Sequence, residues 1–218
     1  DEEVLEKAGQ LLRQGEIVAF PTETVYGLGA DALSKTASEK IYQAKGRPSD
    51  NPLIIHIAKL DDLSQIVDEI PEDLYILATK FWPGPLTIIM KKSERVPYET
   101  TGGLETVAVR MPNHKVALQL IEKGGGFIAA PSANSSGRPS PTSAEHVYED
   151  MNGKIPLILD CGSVSIGLES TIIDLTGNVP VILRPGFITQ ADLENVLGKQ
   201  VEMDPGISGI SQTQRPKA

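Results

Sequence analysis

The stretch that most constrains the fold is Lys45-Gly46-Arg47-Pro48-Ser49-Asp50-Asn51-Pro52-Leu53-Ile54-Ile55-His56-Ile57. It begins where helical spacing ends at a glycine, crosses a loop bounded by two prolines, and enters a run rich in isoleucine. A glycine commonly ends a helix, and a β-branched run of this length is typical of a strand. The stretch therefore predicts helix, loop and strand in direct succession, as expected of a mixed α/β fold.

Helical and strand-like patterns alternate along the remainder of the chain. Capping-box spacing at 36–39 and at 142–145 predicts two helix starts. Helices are also predicted over 4–12, from about 60 and 72, over 113–123 and over 189–198. Apolar runs predict strands over 16–20, 52–58, 86–90, 106–111, 127–130, 155–159, 171–175 and 181–183. We expect one mixed α/β domain over residues 1–203 and a linker-like tail over 204–218.

Composition places the chain among ordinary globular proteins. It has 218 residues, of which 40% are hydrophobic and 22% are charged, and this supports a core. The formal net charge of −9 argues against non-specific wrapping of duplex nucleic acid, because phosphate binding needs many cations. A local basic pocket is compatible with that total.

Cysteine content and hydropathy limit the setting of the protein. Cys161 is the single cysteine, so the sequence predicts neither a disulfide framework nor a thiolate zinc site. No apolar run approaches the length that crosses a bilayer, and we expect no signal peptide ahead of the first predicted helix. We expect a cytoplasmic protein without a membrane partner.

The loop that opens the decisive stretch carries two cations beside a glycine. Lys45 and Arg47 flank Gly46 at a predicted helix end, where positive charge interacts well with the helix dipole. A helix cap followed by a proline-bounded loop is therefore one interpretation. Phosphate binding is the other, because arginine offers a bidentate fork and lysine a compact charge, while Asn51 adds an amide donor.

A second polar loop has the sequence Pro131-Ser132-Ala133-Asn134-Ser135-Ser136-Gly137-Arg138-Pro139-Ser140. Serine-rich stretches are common in flexible linkers, but this one lies between a predicted strand and a capped helix. Backbone amides and hydroxyls of such a loop can cradle phosphate oxygens. Because nothing matches the P-loop pattern GxxxxGKS or GxxxxGKT, phosphates would be held in another way. Together the two loops indicate nucleotide chemistry.

Two sites near the first loop have both structural and functional interpretations. The turn at 20–29 packs two threonines, a carboxylate and a tyrosine between prolines and glycines. It suits either helix capping or recognition of a small polar substrate. His56 interrupts an apolar strand, on the face predicted for Ile54 and Ala58. It is either a satisfied core group or a neutral ring that orients a small ligand.

Cationic and acidic residues also occur at the ends of later strands. Arg110 and Arg184 each end an apolar strand, and a structural salt bridge competes with a functional role for both. The segment 167–171 places Glu169 and Ser170 just before another strand. The acids in this half of the chain lack the spacing of a metal cage, so no metal site is predicted.

Taken together, these motifs resemble those of the YrdC-like family from about residue 5 to 201. They include the turn at 20–29, Lys45-Gly46-Arg47-Pro48, Asn51-Pro52-Leu53-Ile54-Ile55-His56, Phe81-Trp82-Pro83-Gly84-Pro85-Leu86-Thr87, Val109-Arg110, Pro131-Ser132-Ala133-Asn134, the segment 167–171 and Leu183-Arg184-Pro185-Gly186. The combination of Lys-x-Arg with Ser-x-Asn is specific to this family, and both halves are present here in order.

This resemblance implies a twisted mixed sheet flanked by helices, with a concave and locally positive cavity. Members of the family condense L-threonine, bicarbonate and ATP into threonylcarbamoyl-AMP and release pyrophosphate. The product supplies N6-threonylcarbamoyladenosine (t6A37) synthesis in tRNA, which implies a downstream tRNA threonylcarbamoyl transferase and leaves direct tRNA binding open. Longer relatives continue into a linker and a second domain, and the tail over 204–218 resembles the start of such a linker.

The resemblance also implies roles for individual residues. Contacts to L-threonine are implied for Thr24, His56, Arg110, Ser170 and the backbone of Ala130. Contacts to ATP are implied for Arg47, Asn51, Thr106, Ser132, Asn134, Ser140 and Arg184. Lys45 and Arg47 would act in catalysis with a magnesium ion carried by ATP, for which no protein cage is expected. None of these residues is an obvious nucleophile, so the predicted mechanism is positioning and charge stabilisation.

Two other functions stay open at this point. One is a carbamoyl-adenylating domain of the hydrogenase-maturation type, which shares the family fold and is separated by the threonine dependence of ATP turnover. The other is a non-catalytic RNA-binding module. The acidic net charge and the aromatic content of 5% disfavour that module, because no stacking platform is evident.

Overall fold

The computed structural model describes residues 1–208, in which helices and strands alternate. The α-helices are α1 (Glu2–Arg13), α2 (Lys35–Lys45), α3 (Glu72–Phe81), α4 (Tyr98–Thr101), α5 (Lys115–Lys123), α6 (Ala144–Met151) and α7 (Gln190–Leu197). Short 3-10 helices cover Leu60–Gln65 and Pro205–Ser208. The strands are β1 (Val18–Pro21), β2 (Tyr26–Asp31), β3 (Ile54–His56), β4 (Leu86–Lys91), β5 (Thr106–Arg110), β6 (Ile128–Ala129), β7 (Leu157–Ile158), β8 (Thr171–Asp174), β9 (Val181–Arg184) and β10 (Glu202–Met203).

The strands of this part of the chain form one sheet in the order β10-β9-β8-β4-β5-β3-β6-β2-β1-β7. Parallel and antiparallel pairs are mixed: β3 pairs with β5 in parallel, whereas β4 pairs with β5 antiparallel. The predicted mixed α/β fold with a large central sheet flanked by helices is therefore confirmed. Within residues 1–208, no helix is both long and apolar enough to cross a membrane.

Apolar residues pack on both faces of the sheet. Successive residues of β1 alternate between the two cores: Val18 and Phe20 pack with α1 and α5, whereas Ala19 belongs to the larger cluster on the other side. This alternation is the period of two that a strand imposes on its side chains. Burial on both faces explains why β1 is apolar throughout its length and shows no polar alternation in the sequence.

Two helix starts differ from the prediction by one or two residues. Ser34 caps α2, with its hydroxyl accepting from the backbone N–H of Ala37, and Ser143 caps α6. The capping boxes predicted at 36–39 and 142–145 are therefore wrong, because a nearer serine takes the cap position in each case. Thr189 caps α7 in a capping box with Asp192, which agrees with the helix start predicted at that residue.

Residues 20–29, predicted to form a turn, belong to the hairpin of β1 and β2. β2 contains Gly27 and Gly29, so it lacks the β-branched composition of a typical strand. The structure gives the reason, because a Cβ at Gly29 would lie 2.8 Å from the Phe20 ring and 3.0 Å from Ile128. Glycine is required there for the close packing of β1 on β2, and that requirement hides the strand.

Strand order and direction bring several polar strand ends together. β3 and β5 are parallel and in register, so His56 lies beside Arg110. β8 pairs with β9 in the opposite direction, which places Arg184 beside Ile172 near the start of β8. The predicted tail lies largely outside this description: residues 209–218 fall beyond the described residues, and residue 204 still hydrogen-bonds through its N–H to the Ile182 carbonyl at 2.9 Å.

Candidate active site

A cavity lies on one face of the sheet, across β3, β5, β4 and β8. Its floor is apolar and includes Ile54, Ala108 and Ile172. The cavity encloses about 780 Å³ with its open mouth included, a size typical of small-molecule sites. Many of the residues that the sequence analysis singled out line it, namely Thr24, Arg47, His56, Arg110, Ala130, Ser132, Ser170 and Arg184.

The other predicted site residues lie near the cavity without lining it. They are Lys45, Asn51, Thr106, Asn134 and Ser140. Lys45 and Asn134 lie behind the Ser132 loop, and Ser140 reaches the cavity only through a hydrogen bond to Glu169. Thr106 begins β5 on the face of Ala108, and the Asn51 carbonyl accepts the hydroxyl of Tyr42 at 3.1 Å.

Arg110 forms a buried ion pair with Glu23. Its Nη2 donates to one carboxylate oxygen of Glu23, and its Nη1 donates to the hydroxyl of Thr24 at 3.0 Å. The other carboxylate oxygen accepts the backbone N–H of Asn113 at 2.8 Å. The two side chains are only 4% and 8% exposed. Burial lowers the pKa of Arg110, while the Glu23 carboxylate acts in the opposite direction, and removal of either partner would leave a buried charge uncompensated.

Arg184 is tied to the start of β8 and to a second glutamate. Its Nε and Nη2 donate to the Ser170 carbonyl at 3.1 and 3.0 Å, and its Nη1 lies 3.2 Å from Glu169 Oε2. The other carboxylate oxygen of Glu169 accepts the Ser140 hydroxyl at 3.1 Å. The Ser170 hydroxyl shares a hydrogen bond of 2.7 Å with Thr87. This group therefore joins β9, the segment before β8 and the second polar loop.

Within residues 1–208, the hydrogen bonds of Arg47 go to backbone carbonyls. Its Nε donates to the Asn51 carbonyl at 3.3 Å, and its Nη2 donates to the Pro52 carbonyl at 2.8 Å. No ion pair between Arg47 and a carboxylate occurs within the described residues. Burial lowers the pKa of Arg47, which marks the cost of an unneutralised charge in this position. An anion bound beside Arg47 would offset the desolvation cost of its buried charge.

Lys45 and Asn134 connect the two polar loops, which are the loop that follows α2 and the loop over 131–140. Lys45 Nζ donates to the Ser132 carbonyl and, at 2.8 Å, to the Asn134 carbonyl. The Asn134 amide in turn donates to the carbonyls of Ser135 and Arg138 at 2.9 and 2.8 Å. Burial, with a contribution from the nearby Arg47 charge, lowers the pKa of Lys45 to about 7. In this geometry Lys45 holds the second loop in place against the end of α2.

His56 is a buried ring at the edge of the cavity. Its Nδ1 lies 3.2 Å from the Ile54 carbonyl, and its ring meets Phe20 edge-on with centroids 6.3 Å apart. Burial, assisted by the neighbouring Arg110 charge, lowers the pKa of His56 to about 3. The ring is therefore neutral at physiological pH, which suits orientation of a ligand better than proton transfer.

The turn between β1 and β2 presents Thr24 to the cavity. The Thr22 hydroxyl donates to the Val25 carbonyl at 2.8 Å and accepts the Thr24 N–H at 3.2 Å. These bonds close a local turn, so the threonines cap no helix, and that structural interpretation is wrong. The turn leaves Thr24 at the cavity wall beside Arg110.

Glu23 and Glu169 are the site residues to which sequence reasoning gave no role. Both occur in quoted motifs, but nothing in the spacing shows which arginine each would pair with. A signal was present for Glu23, because turn chemistry does not explain a carboxylate between two threonines. Among the described residues, no group of three or more histidine, cysteine or acidic side chains could hold a metal ion.

Three arginines line one cavity, and Glu169 is the one carboxylate in its described lining, so the fold and the site define an α/β protein with a cationic small-molecule cavity. Comparison with known proteins makes this class specific. The chain belongs to the Sua5/YciO/YrdC family, whose model, described as telomere recombination, matches residues 10–186. The resemblance drawn from the motifs is thereby confirmed.

Relatives and solved structures agree with this assignment. The chain is 57% identical over 204 residues to a threonylcarbamoyl-AMP synthase of Pyrococcus abyssi and 52% identical over 211 residues to one of Bacillus subtilis. These matches cover 94% and 96% of this chain but only 60% of each relative. The fold matches a crystal structure of Pyrococcus abyssi Sua5 with L-threonine at a TM-score of 0.96 and 54% identity, covering 100% of this chain and 64% of that one.

Proposed function

We propose that this chain catalyses the synthesis of threonylcarbamoyl-AMP from L-threonine, bicarbonate or CO2, and ATP, with release of pyrophosphate. The observation that carries the proposal is the convergence of Arg47, Arg110 and Arg184 on one cavity with an apolar floor. The reaction brings a carboxylate and a triphosphate into one site, and arginine forks suit both groups. The names of the relatives and the threonine complex of Pyrococcus abyssi Sua5 support the same reaction.

The phosphates are assigned to the end of the cavity that contains Arg47. Its guanidinium has backbone carbonyls but no carboxylate as partners within the described residues, so it can accept a new anion without losing an ion pair. Ser132, Ser140 and Arg184 complete this end of the proposed ATP site. Asn51, Thr106 and Asn134 stay predicted ATP residues that would act at its margin.

L-Threonine is assigned to the end that contains Arg110. The guanidinium is oriented by Glu23 and Thr24, and its position at the cavity wall suits the substrate carboxylate. The Ala130 N–H already donates to the Ile54 carbonyl at 2.9 Å, so its carbonyl is the backbone group proposed for the substrate ammonium. Neutral His56 and the Ser170 hydroxyl would complete the contacts.

The chemistry consists of two bond-forming steps. The threonine amine, once deprotonated, attacks the carbon of CO2, and a C–N bond forms while a C–O π bond breaks and an N–H proton passes to solvent, which gives an N-carboxylate. With bicarbonate as the reactant, a C–O bond breaks instead and a water molecule leaves. An oxygen of that carboxylate then attacks the α-phosphorus of ATP, while the bond to the β-phosphate bridging oxygen breaks and pyrophosphate leaves. Arg47 and Arg184 stabilise the charge on the phosphates, and Lys45 contributes by holding the Ser132 loop and through its nearby charge.

The setting of the reaction is also part of the proposal. A magnesium ion bound to the ATP phosphates would neutralise part of their charge. Glu169 is the one carboxylate among the described residues that line the cavity, and one carboxylate is too little for a protein cage. The product would pass to a tRNA threonylcarbamoyl transferase in the cytoplasm. Direct tRNA binding by this chain is not needed for the proposed chemistry.

Pyrophosphate release from ATP tests the function directly. With bicarbonate present, we expect release that depends on L-threonine and is much lower with L-serine or L-alanine. Arg47→Ala should lower the rate at least about a hundredfold, because it removes a preorganised donor to the phosphates. Arg95→Ala, which changes an exposed arginine outside the cavity, is the matched control and should behave like the wild type.

Two results would reject this function. Release that ignores threonine would favour a carbamoyl-adenylating domain of the hydrogenase-maturation type. An Arg47→Ala variant with wild-type turnover would show that the cavity is not the reaction site, whatever the overall activity.

A further inference from the structure

The two glutamates of the site differ in how firmly they are held. Glu23 is 8% exposed in its side chain, and its oxygens are taken by Arg110 and the Asn113 N–H. Glu169 is 24% exposed, lines the cavity, and uses its oxygens to hold Arg184 and the Ser140 hydroxyl. Glu23 is therefore a fixed partner, whereas Glu169 faces the space that a ligand would occupy.

The partners of Glu169 are donors that a polyphosphate would also need. Arg184 Nη1 lies 3.2 Å from one carboxylate oxygen, and the Ser140 hydroxyl lies 3.1 Å from the other. A donor that points its N–H or O–H at a carboxylate cannot give the same bond to a phosphate. A polyphosphate that takes the Ser140 hydroxyl, or the Nη1 proton that Arg184 directs at Glu169, must therefore displace the carboxylate from that group.

The displaced carboxylate cannot move far from the site. Gly186, two residues after Arg184, packs against the backbone around residue 169, where a Cβ would lie 2.6 Å from the Glu169 carbonyl and 2.6 Å from the Thr171 N–H. This packing holds the backbone of Glu169, so only its side-chain torsions are free to change. Its negative charge already acts on Lys45 and Arg47, whose pKa values it raises against the larger effect of burial.

We propose that Glu169 is a competing carboxylate that weakens polyphosphate binding: it leaves Arg184 and Ser140 when the nucleotide enters and returns to them when pyrophosphate leaves. This role rests on one part of the proposed function, which is that the cavity binds a polyphosphate. It explains how a cavity with three arginines avoids retaining its inorganic product. No covalent step is involved, because the exchange replaces one set of ionic hydrogen bonds with another.

Titration calorimetry with inorganic pyrophosphate, in the absence of divalent metal, tests the role. Glu169→Gln keeps the shape of the side chain and removes its charge, so we expect pyrophosphate to bind about tenfold more tightly than to the wild type. Glu145→Gln changes the net charge equally on the exposed side of α6 and should leave the affinity unchanged. A gain in affinity cannot arise from a damaged fold, and matching thermal unfolding curves would confirm intact protein.

The remaining outcomes separate this role from the proposed function. Equal or weaker pyrophosphate binding by Glu169→Gln would overturn the competing role and leave the synthase reaction untouched. A similar gain in Glu145→Gln would also overturn it, because the effect would then be one of net charge alone. If wild type and Glu169→Gln both failed to bind pyrophosphate or ATP, the cavity would not be a polyphosphate site and both proposals would fall.

Discussion

At the scale of single residues, the site is organised by how each cation is compensated. Arg110 has a buried carboxylate partner and Arg184 a more exposed one, whereas the partners of Arg47 in the described part of the chain are carbonyl groups. Lys45 also has carbonyl partners, but it lies outside the cavity wall. The positive charge available to a ligand is therefore concentrated near the loop that follows α2.

The titration of Lys45 gives a prediction on stability. Its pKa is about 7 in the fold and 10.5 when unperturbed, so between these values the unfolded chain binds more protons than the folded one. The free energy of unfolding contributed by Lys45 must then rise with pH across this window and be lowest below pH 7, where both states carry the charge. Compared with Lys45→Met, wild type should gain on the order of 4 kcal/mol between pH 7 and 10.

Denaturant unfolding of both proteins at several pH values measures this difference. Other groups that titrate in the same range cancel in the comparison, since both proteins share them. A difference between wild type and Lys45→Met that stays constant from pH 7 to 10 would contradict the lowered pKa of Lys45.

At the scale of elements, the site depends on close packing between the end of β9 and the entry to β8. Gly186 follows β9 and leaves no room for a side chain against the backbone of residues 169–171. This contact sets the distance between Arg184 and the Ser170 carbonyl. The guanidinium of Arg184 donates two hydrogen bonds to that carbonyl. The proline and glycine after Arg184 are thus part of the site although they offer no side-chain chemistry.

Gly186→Ala should consequently disturb both stability and ligand binding. The new Cβ would meet backbone atoms at 2.6 Å, so the two segments must separate. We expect an unfolding free energy lowered by about 1–3 kcal/mol and weaker ATP binding. Gly177→Ala is the matched control in the β8–β9 turn, since its Cβ would meet only the Val179 carbonyl at 3.8 Å. Equal effects of the two changes, measured by unfolding and calorimetry, would contradict this account.

At the scale of the whole molecule, an acidic protein surrounds a cationic cavity. The formal net charge is −9, yet three arginines face the cavity. Low-dielectric walls focus the local field of these arginines, so a small anion meets a positive site within a negative surface. The same distribution should repel a long polyanion, which contacts mainly the outer surface.

This distribution predicts poor binding of tRNA by the chain alone. At 0.15 M salt we expect a Kd weaker than about 10 µM for labelled tRNA in fluorescence anisotropy, because too few surface cations are available to displace counterions. Binding of ATP to the same sample is the control, because it shows that the protein tested is folded and able to bind a ligand. A Kd below about 1 µM that weakens steeply with added salt would contradict the prediction and revive an RNA-binding role.

Much of the architecture could be predicted because its signals are local. Gly46 caps the end of α2 with a positive φ of 63°, and Thr189 and Gly198 cap the two ends of α7, as the residue types indicate. β-branched runs located β3 and β8. β2 could not be found in this way, because its glycines serve contacts with Phe20 that only the folded hairpin creates.

The sequence by itself determined the fold class, the family and most of the polar side chains that line the cavity, because helix caps, strand composition and short motifs act over a few residues. Only the tertiary structure decided how the charges pair. Glu23 and Arg110 are separated by 87 positions in the chain, as are Lys45 and Ser132, and they meet through a strand order that does not follow the sequence. Compensation of a charge depends on what lies within a few ångströms, and that distance is set by the sheet.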